Sequence, residues 1–272
     1  MSRIIEVSSD WLALREAEDA RARSAELAAA VPALLPAGTL TVHDLGSGTG
    51  SMVRWLAPRL PGPQTWVLHD WNADLTRRAL DVEAPRDREG APVSLVPQIG
   101  ELGELSAAHL NGAALVTASA LLDVLTAREA HSLVDACVGA GAPALLSLSV
   151  TGEVHLRPRD AGDSAYSNAF NTHQTRETDG RRLLGRHGAP IVKGLFELAG
   201  WKVRTTRTHW LLDAGRTLLL QEWLNGWVDA AEEQDPGLRE RFEGYRDLRS
   251  AQLARGRLSV DVVHTDLLAW PR

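Results

Sequence analysis

The run His43-Asp44-Leu45-Gly46-Ser47-Gly48-Thr49-Gly50 constrains this chain more than any other stretch. An apolar approach through Leu40 and Val42 meets an acid and then a glycine at every second position. Lacking a Cβ, glycine permits positive φ and lets a ligand lie against the backbone, so the run reads as a tight turn. Beyond it, Met52, Val53, Leu56 and Leu60 share one face at helical spacing. A short strand, Thr65-Trp66-Val67-Leu68-His69, then ends in Asp70. Strand, glycine turn, helix, strand and acid are the opening unit of an α/β fold with a parallel sheet.

The glycine spacing separates two kinds of ligand. A dinucleotide fingerprint is G-x-G-x-x-G, with a helix N-terminus facing a pyrophosphate. Here the third glycine falls one residue early, Ser51 stands where that pattern wants glycine, and Asp44 would oppose a diphosphate. A ligand with an amino group and a sulfonium turns that acid into an asset. Asp44-Leu-Gly-Ser-Gly-Thr-Gly50 with Asp70 resembles the first two motifs of class I S-adenosylmethionine-dependent methyltransferases.

That resemblance implies S-adenosyl-L-methionine as cofactor, a doubly wound, mostly parallel seven-stranded sheet with helices on both faces, and a last strand inserted antiparallel. It assigns Asp44, Gly46, Ser47, Gly48 and Gly50 to the cofactor turn and Asp70 to the ribose hydroxyls. Trp71 would lie along the adenine, with Gln98 or Glu101 accepting from its exocyclic amine. Its specific motifs are confined to 44–71 and, weakly, 98–101. Many family members end strand four in an acid or an Asn-Pro-Pro-Tyr-type motif. This chain ends it in Thr117, Ala118 and Ser119, placing Thr117 and Ser119 against the cofactor and arguing against methylation of an adenine or amide nitrogen in nucleic acid or protein by that route.

The remaining chain is read in order. Ser9 can cap a first helix over 9–30, on which Arg15, Asp19 and Arg23 share a face. They form either a solvated ion-pair stripe or, from a helix lying over the cofactor, an arginine for its carboxylate, with Arg23 and Arg15 as candidates. The cofactor core spans 39–150, with further strands at Val93–Val96, Ala113–Ala118 and Pro143–Val150. Asp123 is a base, a substrate anchor or, on balance, a first-turn acid favoured by the helix dipole. Two insertions follow. Residues 152–188 are polar and poor in apolar bulk, whereas 217–255 read as a helix pair with Leu220, Trp223, Leu224 and Trp227 on one face. Both leave the sheet at its carboxyl edge, where α/β folds bind ligands. They are expected to roof the methyl donor, with His173 and Asn171 facing it across a cavity lined partly by Trp210 and Trp223. His173 and His209 are the candidate proton acceptors for an O, N or C nucleophile.

Composition closes off other classes. The 272 residues carry a net charge of −6, which argues against a broad nucleic-acid surface. Only Lys193 and Lys202 among 29 basic residues are lysine, a coding bias and not a phosphate-binding signal. One cysteine, Cys137, excludes an internal disulfide and a cysteine-rich metal site. No segment approaches the ~18 apolar residues of a membrane span. The expectation is a single cytoplasmic domain over 1–272 acting on a small-molecule substrate, with no metal and no membrane partner. A homodimer is left open, as are RNA as the methyl acceptor and binding without methylation.

Overall fold

The computed structural model describes residues 7–178 and 180–272. Helices α1 (Ser9–Ala22) and α2 (Ala25–Ala30) precede β1 (Leu40–Leu45), α3 (Ser51–Leu56), β2 (Gln64–Asp70) and α4 (Ala73–Asp81). Next come β3 (Ser94–Ile99), β4 (Leu115–Ser119), α5 (Ala127–Ala140) and β5 (Ala144–Arg157). The chain continues with α6 (Asp163–His173), a small hairpin of β6 (Glu177–Thr178) and β7 (Arg181–Arg182), and α7 (Gly188–Leu198). It ends with β8 (Lys202–Leu212), α8 (Thr217–Gln234), α9 (Leu238–Arg241), α10 (Tyr245–Ala254) and β9 (Ser259–Trp270).

Seven strands form one sheet in the order β3-β2-β1-β4-β5-β9-β8. The first five are parallel, and β9 runs antiparallel between β5 and β8. This is the expected α/β doubly wound architecture. Alternating side chains feed two layers, as the two-residue strand period requires. Val42, Met52, Leu56 and Trp66 pack on one face, and Leu45, Val116, Leu133 and Phe196 on the other. A third cluster, centred on Trp210, Trp227 and Tyr166, joins the extended β5–β9–β8 region to α6 and α8. No described helix is long and apolar enough to cross a membrane.

The expected 9–30 helix is two helices. Arg23 adopts φ −54° and ψ 137°, and Ser24 restarts the chain by accepting from the Leu27 N–H at 3.1 Å. The buried Asp266 carboxyl fixes this joint, accepting the Ser24 N–H at 2.8 Å. The 152–188 segment is not mostly irregular. β5 runs on to Arg157 against β9, and α6 follows with Tyr166 and Phe170 turned onto Trp227, at ring centroid distances of 5.9 and 6.5 Å. The second member of the 217–255 pair breaks at Gly244, whose φ is +77°.

Candidate active site

Each glycine of the turn takes a left-handed conformation, with φ of +63° at Gly46, +53° at Gly48 and +82° at Gly50. A side chain would be strained there and would also crowd its neighbours. A Cβ on Gly46 would lie 2.9 Å from Leu121 Cδ1, and one on Gly48 3.2 Å from Leu12 Cδ1. The Ser47 N–H donates to the His69 carbonyl at 3.0 Å, fastening the turn to the end of β2. Asp70 completes that fastening: Oδ2 accepts the Gly48 N–H and Oδ1 the Asn72 N–H, each at 2.8 Å. The result is a bare backbone cradle beside a carboxylate.

Above the cradle lies a cavity of about 370 Å³ at the carboxyl ends of the parallel strands. Asp44, Gly46, Ser47, Gly48, Asp70 and Trp71 form its floor. Trp71 is 39% exposed, at the rim. The roof comes from elements remote in sequence: Trp11, Leu12 and Arg15 of α1, Trp210 of β8, Trp223 of α8 and His264 of β9. Gln174, Arg181 and Leu183 bring the 152–188 insertion to the same cavity. Arg181 is held there by a two-pronged pair with Glu129 at 2.7 and 2.9 Å. Among the described residues, two other than glycine have positive φ, Ala120 at +53° and Leu148 at +57°, and both line the cavity. Such conformations cost of order 1–3 kcal/mol each and persist where the surroundings impose them. Here the Ala120 N–H is held by the Ser147 carbonyl at 2.9 Å and the Leu148 N–H by Asp266 at 2.7 Å.

The electrostatics are dominated by buried carboxyls. Asp44 accepts the Thr117 hydroxyl on Oδ1 at 2.7 Å, while Oδ2 is buried without a partner among the described residues. Burial pushes the Asp44 carboxyl up to about 7, against the opposing pull of Thr117 and Arg23. Burial also raises Asp70, against its backbone donors, and Asp123, whose Oδ1 has no partner either. Asp19 is raised by burial although Arg15 grips it, Nε to Oδ2 at 3.0 Å. Arg15 stacks 4.8 Å over the Trp210 ring. Burial, reinforced by the Arg15 charge, lowers His264 to about 3, so it stands in the cavity as a neutral imidazole.

Of the residues picked out from sequence, Asp44, Gly46, Ser47, Gly48, Asp70, Trp71, Ser119 and Asp123 line this cavity. Gly50 instead closes the turn, donating to the Ser47 carbonyl at 2.9 Å. Thr117 lies behind Asp44 and orients it. Arg23 is not at the cavity wall: its guanidinium is spent on the Ser119 and Ser51 hydroxyls at 3.0 and 2.9 Å, and Arg15 takes the place at the wall. Gln98 and Glu101 are exposed and lie off the wall, where Gly100 and Leu102 stand instead. Asp123 does not begin α5, since Thr126 is its cap. It sits in a single turn, Leu122–Val124, opening on the cavity.

The two histidine candidates are elsewhere. His173 bonds Glu233 at 3.1 Å and Asn171 bonds the Gly152 carbonyl at 2.9 Å, neither at the wall. His209 pairs with Asp261 at 2.9 Å on the outer side of the sheet. Strand alternation explains this: the buried Trp210 claims the inward position, so its neighbour must point out. His264 was missed, although the same alternation puts Val260, Val262, His264 and Asp266 on one face of β9.

No family model and no curated protein matches this sequence. Among solved structures, the YcgJ protein from Bacillus subtilis is 12% identical, with 90% of this chain and 97% of that chain covered and a TM-score of 0.50. The cyclopropane synthase MmaA2 from Mycobacterium tuberculosis is 12% identical over 90% of this chain and 82% of its own, at a TM-score of 0.45. An S-adenosylmethionine-dependent methyltransferase from Geobacter sulfurreducens, in complex with S-adenosyl-L-homocysteine, is 17% identical over 98% and 99%, at 0.43. At such identities the likeness to YcgJ is one of fold alone.

Proposed function

We propose that this chain is an enzyme that uses S-adenosyl-L-methionine to methylate an O, N or C atom of a small-molecule metabolite. The observation that carries the reading is the buried Asp44 carboxyl at the mouth of the glycine cradle, with Oδ2 lacking a partner among the described residues. A buried unpaired carboxyl oxygen is costly, so the site calls for a cationic hydrogen-bond donor. The amino group of S-adenosylmethionine is such a donor. A dinucleotide's pyrophosphate would instead meet Asp44 and Asp70 together.

The residues present fit the cofactor. Asp70 would hold the ribose hydroxyls, Gly46 to Gly48 would admit it against the backbone, and Trp71, Leu75 and Leu102 would flank the adenine. Arg15, already neutralised by Asp19, is placed for the carboxylate end. When bound, the cofactor supplies a methyl group already activated by its sulfonium. The protein's remaining tasks are to orient the acceptor and exclude water, which the tryptophan-rich roof supports. Such a roof suits a small molecule. Arg176 and Arg181 of the insertion are committed to Glu233 and Glu129, at 2.7 Å each, so they offer no basic groove for RNA. A single cytoplasmic domain belongs to the same proposal.

The pH dependence of binding tests it. Asp44's folded value lies above its ordinary 3.8, so its contribution to the unliganded fold is full below about pH 4 and is lost as pH rises through about 7. A bound amino group requires the ionised form. Calorimetric titration should therefore show S-adenosylhomocysteine affinity level above pH 7 and falling by up to about tenfold per pH unit below it. Asp44→Asn should leave only a shallower slope owed to Asp70, whose carboxyl burial also raises. A wild-type affinity independent of pH between 5.5 and 8 would contradict the assignment of Asp44.

A further inference from the structure

The acceptor side of the cavity has a composition of its own. Trp11, Trp210, Trp223, Leu148 and Val262 give it broad apolar walls. Its charges are cancelled in pairs, Arg15 by Asp19 and Arg181 by Glu129. His264 is neutral, because burial and Arg15 lower it to about 3. One lining carboxyl on this side is not accounted for. Asp123 Oδ1 is buried with no hydrogen-bond partner among the described residues, and the methyl donor, matched to Asp44 and Asp70, makes no claim on it.

The turn that carries Asp123 is also held in place. Leu122, beside it, is buried, and the first residue of α7 packs so close that a Cβ on Gly188 would lie 2.4 Å from the Leu122 carbonyl oxygen. On the other side of the turn, the Leu125 carbonyl accepts the Leu184 N–H at 2.8 Å. A carboxyl at the wall of a largely apolar cavity, on a turn fixed from both sides and with one oxygen unpartnered, is a place for a ligand's donor, since leaving it unpaired costs free energy.

We propose that the acceptor is a flat, uncharged, largely apolar molecule bearing one O–H or N–H, and that Asp123 Oδ1 receives that hydrogen and then its proton. The inference rests on the methyl-transfer reading and names its substrate class and catalytic residue. A cationic acceptor is disfavoured because the Trp210 face already carries the Arg15 guanidinium, 4.8 Å from the ring centre. An anionic acceptor would bring its charge against Asp123, with the nearby Arg15 already shared between Asp19 and the carboxylate end of the methyl donor. A neutral donor satisfies the orphan oxygen at no electrostatic cost. In the proton step the acceptor's O–H or N–H bond breaks with its electron pair kept on the heteroatom. A new O–H bond forms on the carboxylate, and solvent takes that proton when product leaves. Burial raises the carboxyl above the ordinary aspartate value, which makes it a better base than an exposed aspartate.

Three probes of one shape test this: 2-naphthol, its methyl ether 2-methoxynaphthalene, and 2-naphthoate. Each is titrated into wild-type protein, with and without saturating S-adenosylhomocysteine, and followed by calorimetry and by quenching of tryptophan fluorescence. The naphthol should bind at least about tenfold tighter than the ether and the naphthoate, the worth of one hydrogen bond to a charged group. Asp123→Leu should bring naphthol and ether within about twofold of each other while leaving S-adenosylhomocysteine affinity within twofold. Asp123→Asn, which keeps the side chain's shape, should cut the preference to about threefold and serves if the leucine variant does not fold. The proposal is overturned if either folded variant keeps the wild-type preference, if naphthoate binds best, or if wild-type protein shows no saturable naphthol binding. Failure of wild-type protein to bind S-adenosylhomocysteine would instead sink the methyl-donor reading, and the probe preference measured without it would still decide the role of Asp123.

Discussion

Replacing Asp70 with alanine should weaken S-adenosylhomocysteine binding by about a hundredfold or more. Two charge-assisted hydrogen bonds to ribose hydroxyls, at ~1.5–3 kcal/mol each, set that scale. The same carboxylate accepts the Gly48 and Asn72 N–H groups at 2.8 Å, so the alanine variant also loosens the cradle. Asp70→Asn separates the effects, because its amide oxygen can keep one backbone donor while the charge is lost. Calorimetry on both variants, with circular dichroism to show that they fold, checks this. An affinity within threefold of wild type in a folded Asp70→Ala protein would mean that another residue holds the nucleoside.

Asp266→Leu should cost about 3–5 kcal/mol of stability, the range for removing one partner from a buried charged or polar network. Asp266 is fully buried and serves three elements at once. It accepts the Leu148 N–H at 2.7 Å, the Ser24 N–H at 2.8 Å and the Thr208 hydroxyl at 3.2 Å. Leucine would leave all three donors unsatisfied and release both the positive-φ Leu148 and the α1–α2 joint that positions the roof. Urea denaturation at pH 7 gives the measurement. A loss under about 1 kcal/mol would show that these donors find water and that Asp266 is not the clasp of the roof.

The core was legible because its signals are local. Leu40, Val42 and Leu45 lead into glycines whose positive φ can be read from residue type alone, and the antiparallel last strand is what the family resemblance implies. The roof was harder to read, because it assembles residues far apart in the chain. Arg15 and Arg23 share a helical period, yet the extended backbone at Arg23 turns one guanidinium onto Ser51 and Ser119 and leaves the other at the cavity. The polar look of 152–188 hid the i, i+3, i+4 set of Tyr166, Ala169 and Phe170 that α6 presents to α8. His173 and His209 stand out in the sequence for their chemistry, which carries no information about direction. Strand alternation at Trp210 already pointed His209 outward, and on β9 it pointed His264 inward. Asp123 was read as a helix-start acid because no sequence pattern separates the isolated turn at Leu122–Val124 from the first turn of α5.

The most direct test is a crystal structure of the protein soaked with S-adenosylhomocysteine. The account predicts the ligand in the cavity above Gly46 to Gly48, its ribose hydroxyls on the Asp70 carboxylate and its amino group on Asp44 Oδ2. Ligand density elsewhere on the protein, or a ligand in the cavity whose ribose and amino group contact neither aspartate, would contradict it.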